Sequence, residues 1–218
     1  MRVIKLGIRR KGLYAVQFDE PAEAEGVSAD ERGCLLIDRA ACDEWGLREG
    51  SELTQSELDE LCELSAYKRA HSRALFLLSR RDYSRRALTD KLARDFGRTA
   101  AEKVVDRMVE LNFVDDERYA ERLAENLLNQ GVSATSAVYK MAAKGIERDT
   151  AEHAVRLRSV DAGDQLDKLI AKKYASKLSS GDDKAMARVI NSLARRGFGY
   201  GDIRAALARY AENDDYGY

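Results

Sequence analysis

Residues 74–88 read Ala74-Leu75-Phe76-Leu77-Leu78-Ser79-Arg80-Arg81-Asp82-Tyr83-Ser84-Arg85-Arg86-Ala87-Leu88, and they contain the end of one helical pattern and the start of another. Upstream of this stretch and into it, apolar residues recur at the spacing of one helix face, at Tyr67, Ala70, Ala74 and Leu78. Asp82–Ser84 then interrupt the pattern, and Asp and Ser commonly cap helix N-termini. The stretch therefore predicts a helix that reaches about residue 81, a short turn and a second helix.

The pattern of a long helix followed by two shorter helices occurs three times, at intervals of about 49–52 residues. In each unit a turn with a glycine joins the two shorter helices, so that Leu92 corresponds to Met141 and Leu193. The long helices are predicted at 66–81, 116–130 and 164–178, and the pairs of shorter helices at 84–108, 133–158 and 185–207.

A helical unit of this size buries its apolar face poorly alone, whereas stacked units bury it well. The predicted fold is therefore mainly α, with three tandem three-helix repeats that form an elongated curved array and a small β-containing N-terminal region. The predicted domains are a β-rich region at 1–53, repeats at 54–113, 114–160 and 161–212, and a tail at 213–218. The glycines fit helix C-termini that need a left-handed backbone.

The first 53 residues alternate in the manner of strands, and they are predicted to pair at 3–8, 13–18 and 33–37. Residues 10–12 are the predicted hairpin turn, 20–31 an acidic loop, and 39–45 a short helix that ends at Gly46.

Several residues mark the predicted ends of the helices. Capping boxes are predicted at 54–57 and 99–102, a stop at Gly97, and a helix start at Asp115-Asp116. Further starts are predicted at Ser133, Asp149, Asp164, Asp182 and Asp202. A break near Ser65 is left open. The predicted core residues of the repeats are Leu75, Leu77, Leu88, Leu92, Val104, Val105, Met108, Leu123, Leu127, Val138, Met141, Val155, Ile190 and Leu193.

The formal net charge of −1 conceals an uneven distribution. Residues 1–65 carry 8 Lys and Arg against 15 Asp and Glu, whereas residues 66–113 carry 12 against 6. On a helix over 67–81, Arg69, Arg73 and Arg80 lie within about 40° of one another, opposite the apolar face. Such a face suits phosphates or an acidic protein surface. The alternative is a solvated face whose arginines pair with Asp82, Asp90 and Asp95.

The cysteines and the hydropathy pattern predict a cytoplasmic protein with no membrane partner. Cys34, Cys42 and Cys62 are odd in number and lack CxxC spacing, which is typical of reduced thiols. The N-terminal residues lack the apolar run of a signal peptide, and no stretch approaches the roughly 20 apolar residues that span a bilayer.

No set of residues predicts catalysis or metal binding, so we expect the protein to be no enzyme and to need no cofactor or metal. Asp115-Asp116-Glu117 suits a helix N-terminus, where acidic residues complement the helix dipole. His71 and His153 are the only histidines and lie in different repeats. The segment 197–201 is glycine-rich but lacks the phosphate-loop pattern.

The chain resembles the RecX family of RecA regulators, most clearly over 74–158 and in all over about 45–211. The junction Leu111-Asn112-Phe113-Val114-Asp115-Asp116-Glu117-Arg118-Tyr119-Ala120 is similar to the family's hydrophobic-hydrophobic-Asp-Asp-x-x-aromatic-Ala segment. Lys144-Gly145-Ile146 matches its Lys-Gly-Ile turn, and 45–53 is similar to its Gly-Leu-x-x-Gly-x-x-Leu segment. One departure is Ala134-Thr135-Ser136, which stands where the first repeat has Arg85-Arg86-Ala87, so the basic surface is not threefold.

The resemblance implies a regulator that binds the RecA–DNA filament and modulates RecA recombinase and ATPase activity in DNA repair, homologous recombination and the SOS response. Inhibition is the expected effect, and a milder modulation is left open. The RecA filament is the expected partner, a direct contact with single- or double-stranded DNA is left open, and a monomer is expected. The predicted partner- or DNA-binding residues are Arg69, Arg73, Arg80, Arg81, Arg85, Arg86, Lys91 and Arg94. The alternative function is a helical DNA-binding module that acts independently of RecA, against which the overall charge balance argues.

Overall fold

The computed structural model describes residues 1–9, 12–24, 26–158, 161–178 and 182–215. Over these residues the protein is mainly helical with a small N-terminal sheet, which confirms the predicted fold class. The chain divides into two compact units, Met1–Asp115 and Asp116–Tyr218. Each unit contains its own buried apolar clusters.

Three antiparallel strands form the sheet of the first unit, in the order β1 (Val3–Arg9), β2 (Leu13–Phe18) and β3 (Leu35–Asp38). The third strand begins at Leu35 instead of Gly33, because Gly33 has φ +75° and closes the preceding turn by donating its N–H to the Asp30 carbonyl at 2.9 Å. Two residues of the predicted hairpin turn, 10 and 11, lie outside the described residues.

The helix α1 (Arg39–Glu44) follows the sheet directly and closes its apolar face. Asp38 caps its N-terminus, and the buried residues Ala41 and Cys42 pack against the strands. Trp45 caps its C-terminus and lies half-buried against the same cluster, followed by Gly46 as predicted.

The helix α2 (Gln55–Leu78) begins at the predicted capping box and runs without a break. The Thr54 hydroxyl accepts the Glu57 N–H at 3.2 Å, and the Glu57 carboxylate accepts the Thr54 N–H at 2.8 Å. The break considered near Ser65 is absent. Ser65 is buried, and its hydroxyl accepts the Asp38 N–H at 2.7 Å, so this polar residue ties the helix to the end of β3.

The helices α3 (Arg85–Phe96) and α4 (Arg98–Glu110) complete the first repeat. Ser84 caps α3 as predicted, with its hydroxyl accepting the Ala87 N–H at 3.2 Å. The capping box predicted at 99–102 is wrong, because α4 begins at Arg98 with no side-chain cap. Gly97, at φ +80°, separates the two helices by a single residue, so Thr99 already lies within the first turn of α4.

The loop between β2 and β3 lies directly against the first repeat. Gly26 has φ +74°, and a Cβ added there would lie 2.7 Å from the Phe96 carbonyl oxygen and 3.0 Å from the Ala66 Cβ. The N-terminal region therefore contacts both α2 and the end of α3, and glycine is the residue that permits the approach.

The second unit contains α5 (Asp116–Asn129), α6 (Ala134–Ala142), α7 (Arg148–Arg158), α8 (Ala162–Lys173), α9 (Ala175–Leu178), α10 (Asp183–Arg195) and α11 (Tyr200–Asp215). Ser133 and Asp182 cap helices as predicted, whereas Asp161 and not Asp164 caps α8. Likewise, α7 begins at Arg148, one residue ahead of the predicted Asp149. The helix α11 begins at Tyr200, two residues ahead of the predicted Asp202.

The third long helix, predicted at 164–178, is divided into α8 and α9 at Tyr174. Tyr174 is buried, and its hydroxyl forms a hydrogen bond of 2.8 Å with the Ser192 hydroxyl of α10. We attribute the interruption to this contact, because it fixes the aromatic ring in the core of the third repeat.

Of the predicted core residues, only Leu75 is wrong. It is 40% exposed, because it lies about 140° around α2 from the buried Ala70. Leu123, Val138 and Ile190 are half-buried at the edges of their clusters, and the others are buried.

Candidate partner-binding site

The described residues contain no arrangement suited to metal binding: no group of three or more His, Cys, Asp or Glu side chains could hold an ion there. Asp116 and Glu117 lie in the first turn of α5, where they complement the helix dipole. The ring of His71 packs beside Tyr67 at 6.0 Å in the first unit, and His153 is exposed on α7 of the second. None of the described helices is both long and apolar enough to cross a membrane.

The three cysteines are free thiols in the core of the first unit. Burial, the largest cause, raises the pKa of Cys42 to about 12 and that of Cys62 to about 12. Nucleophilic attack needs the thiolate, which burial disfavours at these positions.

Arg69 is a half-buried part of the first repeat. Its guanidinium carbon lies 5.3 Å from the centroid of the buried Phe96 ring, and burial lowers the pKa of its guanidinium. Arg69 therefore stabilises the packing of α2 on α3 at least as much as it contributes surface charge.

Arg73 and Arg80 converge on one exposed aromatic ring. Their guanidinium carbons lie 5.3 Å and 5.2 Å from the centroid of Phe76, which is 50% exposed. Neither arginine forms an ion pair within the part of the chain that the structure describes. We call these three residues the Phe76 cluster. It presents an apolar surface between two positive charges.

Arg81 lies over a further aromatic ring, with its guanidinium carbon 4.4 Å from the centroid of the buried Tyr83. The hydrocarbon and guanidinium surfaces of Arg81 thus cover the turn between α2 and α3, while the side chain stays exposed. Arg69, Arg73, Arg80 and Arg81 are therefore all held against aromatic rings, which pre-orients their guanidinium groups.

The four predicted cations of α3 have different surroundings. Arg85 pairs with Asp106, and Arg86 approaches Asp90 at 3.9 Å. Lys91 and Arg94 have no ion pair or ring contact within the described ranges. Arg85 and Arg86 thus match the alternative of an internally paired face in part, whereas Arg73 and Arg80 form no such pair within the described residues.

Phe76 is the residue of this surface that sequence analysis missed. It stands in the apolar run 74–78, which resembles core throughout. The helical spacing contains the missing signal, since Phe76 lies about 120° around α2 from Ala70. An aromatic residue placed there projects between Arg73 and Arg80, as (i, i+3) and (i, i+4) neighbours do.

Comparison with protein families gives matches to two helical segments. Residues 70–108 match the model of the first three-helix domain of RecX, and residues 161–207 match that of the third. The chain thus contains two of the family's domains in the family's order.

The curated relatives have the same name. The regulatory protein RecX of Corynebacterium efficiens is 32% identical over 183 residues, which cover 79% of this chain and 85% of the relative. That of Clostridioides difficile is 26% identical over 192 residues, which cover 87% and 91% of the two chains.

Solved structures of regulatory proteins named RecX share the fold. The superposition with one of them covers 95% of this chain and 98% of the solved chain, with a TM-score of 0.58 at 17% identity. RecX from Lactobacillus salivarius covers 66% and 96%, with a TM-score of 0.55 at 22% identity. On the family models and the relative from Corynebacterium efficiens, the chain belongs to the RecX family of regulatory proteins.

Proposed function

We propose that this chain binds the filament that RecA forms on DNA and inhibits its ATP hydrolysis and strand exchange. Membership of a family of regulatory proteins supports the regulatory role. A cytoplasmic location, a monomeric state and a contact that extends over several filament subunits through the predicted repeats at 54–113, 114–160 and 161–212 form part of the proposal. A repeated contact of that kind increases affinity without a strong individual site.

The observation that carries the proposal is the Phe76 cluster. An exposed aromatic ring costs solvation free energy in the unbound state, and aromatic and Arg side chains dominate the energetics of protein interfaces. Both arginines keep their charge available, because neither pairs with a carboxylate of the described residues. The complementary surface is an acidic one with an apolar recess. The exposed Arg81, Arg86 and Arg94 and the half-buried Lys91 extend the positive charge around it.

The test is inhibition of the DNA-dependent ATPase of RecA from the same organism, with this protein titrated in. We expect the wild-type protein to inhibit well below one molecule per RecA. Arg73→Glu combined with Arg80→Glu should raise the concentration for half-inhibition at least about tenfold, since two charges at the anchor are reversed. The helical circular dichroism should stay unchanged, because both side chains are exposed.

The matched control is Lys5→Glu combined with Arg48→Glu, which makes the same change in charge at two exposed positions of the same unit. It should inhibit like the wild type. Equal inhibition by the Arg73/Arg80 variant and this control would remove the Phe76 cluster from the interface. An absence of inhibition by the wild-type protein at equimolar ratio would contradict the proposed function itself.

A further inference from the structure

A second basic surface lies in the second unit, in a cleft of about 800 Å³ between the C-terminal end of α5 and the helix α8. None of its residues is among the predicted binding residues. Leu128 and Leu169 contribute apolar atoms to the cleft, and the lysines of α8 line it from one side.

Three lysines provide the positive charge of this cleft. Lys168 and Lys172 lie one turn apart on α8, Lys173 follows, and all three are exposed. Within the described ranges none of them pairs with a carboxylate. The nearby Asp167 is occupied by Arg209 at 2.9 Å. The ammonium groups are thus available to a ligand.

The fourth cation of the cleft, Arg158, is already neutralised. Its guanidinium contacts Glu121 at 2.9 Å and Glu125 at 2.8 Å. This double pair holds the end of α7 against α5 and removes Arg158 from the binding charge. The free charge therefore comes from α8 alone.

The lysines are also not required to cap the end of α5, whose carbonyl groups have other donors. The Gln165 side-chain amide donates to the Leu128 carbonyl at 3.2 Å and to the Val132 carbonyl at 3.1 Å. The Arg196 guanidinium donates to the Gln130 carbonyl at 2.5 Å. These bonds fix the two walls of the cleft and leave the three lysines without a structural task in the described part of the chain.

We propose that this cleft binds the phosphodiester backbone of a nucleic acid through Lys168, Lys172 and Lys173. Lysine acts as a flexible point charge, so these side chains can contact successive phosphates without the fixed paired geometry that arginine uses. The cleft is open, and its cations follow one helix, which matches an extended polyanion better than an enclosed metabolite. This inference does not rest on the proposed function, because the expected binding needs no RecA.

Fluorescence anisotropy with a labelled oligothymidylate, in the absence of RecA and over a series of salt concentrations, tests the cleft. Lys168→Ala combined with Lys172→Ala should weaken binding about tenfold at moderate salt. The slope of log K against log salt should fall by about 1.4, as expected for two lost contacts with a single strand. Because both positions are exposed, the fold should be retained.

The control variant is Lys140→Ala combined with Lys184→Ala, which removes two exposed lysines of α6 and α10 outside the cleft. It should retain the wild-type slope. An equal effect of the two variants, or no binding by the wild-type protein, overturns the proposal. So does normal binding by the cleft variant with loss of RecA inhibition, because the cleft would then contact protein.

A duplex of the same length identifies the source of the phosphates. Tighter binding of the single strand identifies a single-stranded ligand, and equal affinity identifies a backbone contact without regard to strandedness. In both cases the cleft variant must lose affinity for the proposal to stand.

Discussion

Gly197 allows the turn after α10 to lie directly against the N-terminus of α6. Its φ is +93°, and a Cβ placed there would lie 1.8 Å from the Ser136 hydroxyl oxygen. The Ser133 hydroxyl donates to the Gly197 carbonyl at 2.8 Å, and the Ser133 N–H donates to the Arg196 carbonyl at 3.0 Å. This contact joins the second and third repeats within the second unit.

We expect Gly197→Ala to lower the free energy of unfolding by about 2–4 kcal/mol, because it adds both backbone strain and a steric clash. Gly201→Ala is the control, since Gly201 lies in α11 with open space around its Cα. That change should be neutral or stabilise the protein by up to about 1 kcal/mol. Urea denaturation followed by circular dichroism measures both, and equal stability of the two variants would contradict the close approach.

Single residues also show where local pattern ceases to predict structure. Ser84, Gly97 and Thr54 could be assigned from the sequence, because capping depends on neighbours within four residues. Ser65 and Tyr174 could not, because each is determined by a hydrogen bond to a distant segment. The arginines of the candidate site were identified from charge, but their ring partners depend on side-chain directions that spacing alone leaves open.

Among the helices, α2 connects the N-terminal sheet to the Phe76 cluster, so its N-terminal cap concerns both. Thr54→Ala should destabilise the protein by about 1 kcal/mol at neutral pH, because it removes the side-chain half of the capping box. Thr99→Ala is the matched control, because Thr99 is exposed and does not cap α4. Its effect should stay within about 0.5 kcal/mol.

The capping box also has a defined pH dependence. Two hydrogen bonds lower the pKa of Glu57 below its ordinary value of 4.5. The larger effect comes from the Thr54 N–H and the smaller one from the Thr54 hydroxyl. A lowered native pKa stabilises the fold above the unfolded value, and the contribution is lost as the pH falls through the native pKa. The stability difference between wild type and Thr54→Ala should therefore narrow below about pH 4. A constant difference from pH 7 to pH 3 would exclude a contribution of the Thr54 hydroxyl to the lowered pKa of Glu57, since the Thr54→Ala variant keeps the backbone N–H that bonds to the carboxylate.

Helices with local start and stop signals were predicted well, whereas the long helix of the third repeat was not. The strands at 3–9 and 13–18 and the helices α2 and α3 follow directly from periodicity and caps. The division of α8 from α9 arises from the contact of Tyr174 with Ser192, which lies on another helix. The basic cleft beside α8 arises from packing between segments more than 30 residues apart, as in the bonds from Gln165. A pattern read along one helix contains no information on which other segment will face it.

In the complete molecule, the apolar clusters divide at the boundary of the two units. Every buried residue of the sheet cluster and of the first-repeat cluster lies before Asp116, and those of the other two clusters lie after it. A segment that contains its own core can fold without the remainder of the chain.

A fragment of residues 1–115 should therefore unfold cooperatively in urea and show helical circular dichroism. Its urea m-value should be below that of the complete chain, since less surface is exposed on unfolding. A fragment that ends at residue 96 is the comparison, because it lacks α4 and with it Ala101, Val104 and Met108 of the core. If the fragment 1–115 behaves like this truncated one, the first unit depends on the second for its stability.

Trp45 is the only tryptophan of the chain, and it lies half-buried against the sheet cluster of the first unit. Its intrinsic emission is therefore an optical probe of the N-terminal core. Far-ultraviolet signals, by contrast, average over the helices of both units. A ligand that shifts the tryptophan spectrum changes the surroundings of this core, so a label-free titration reports directly on the N-terminal part of the first unit.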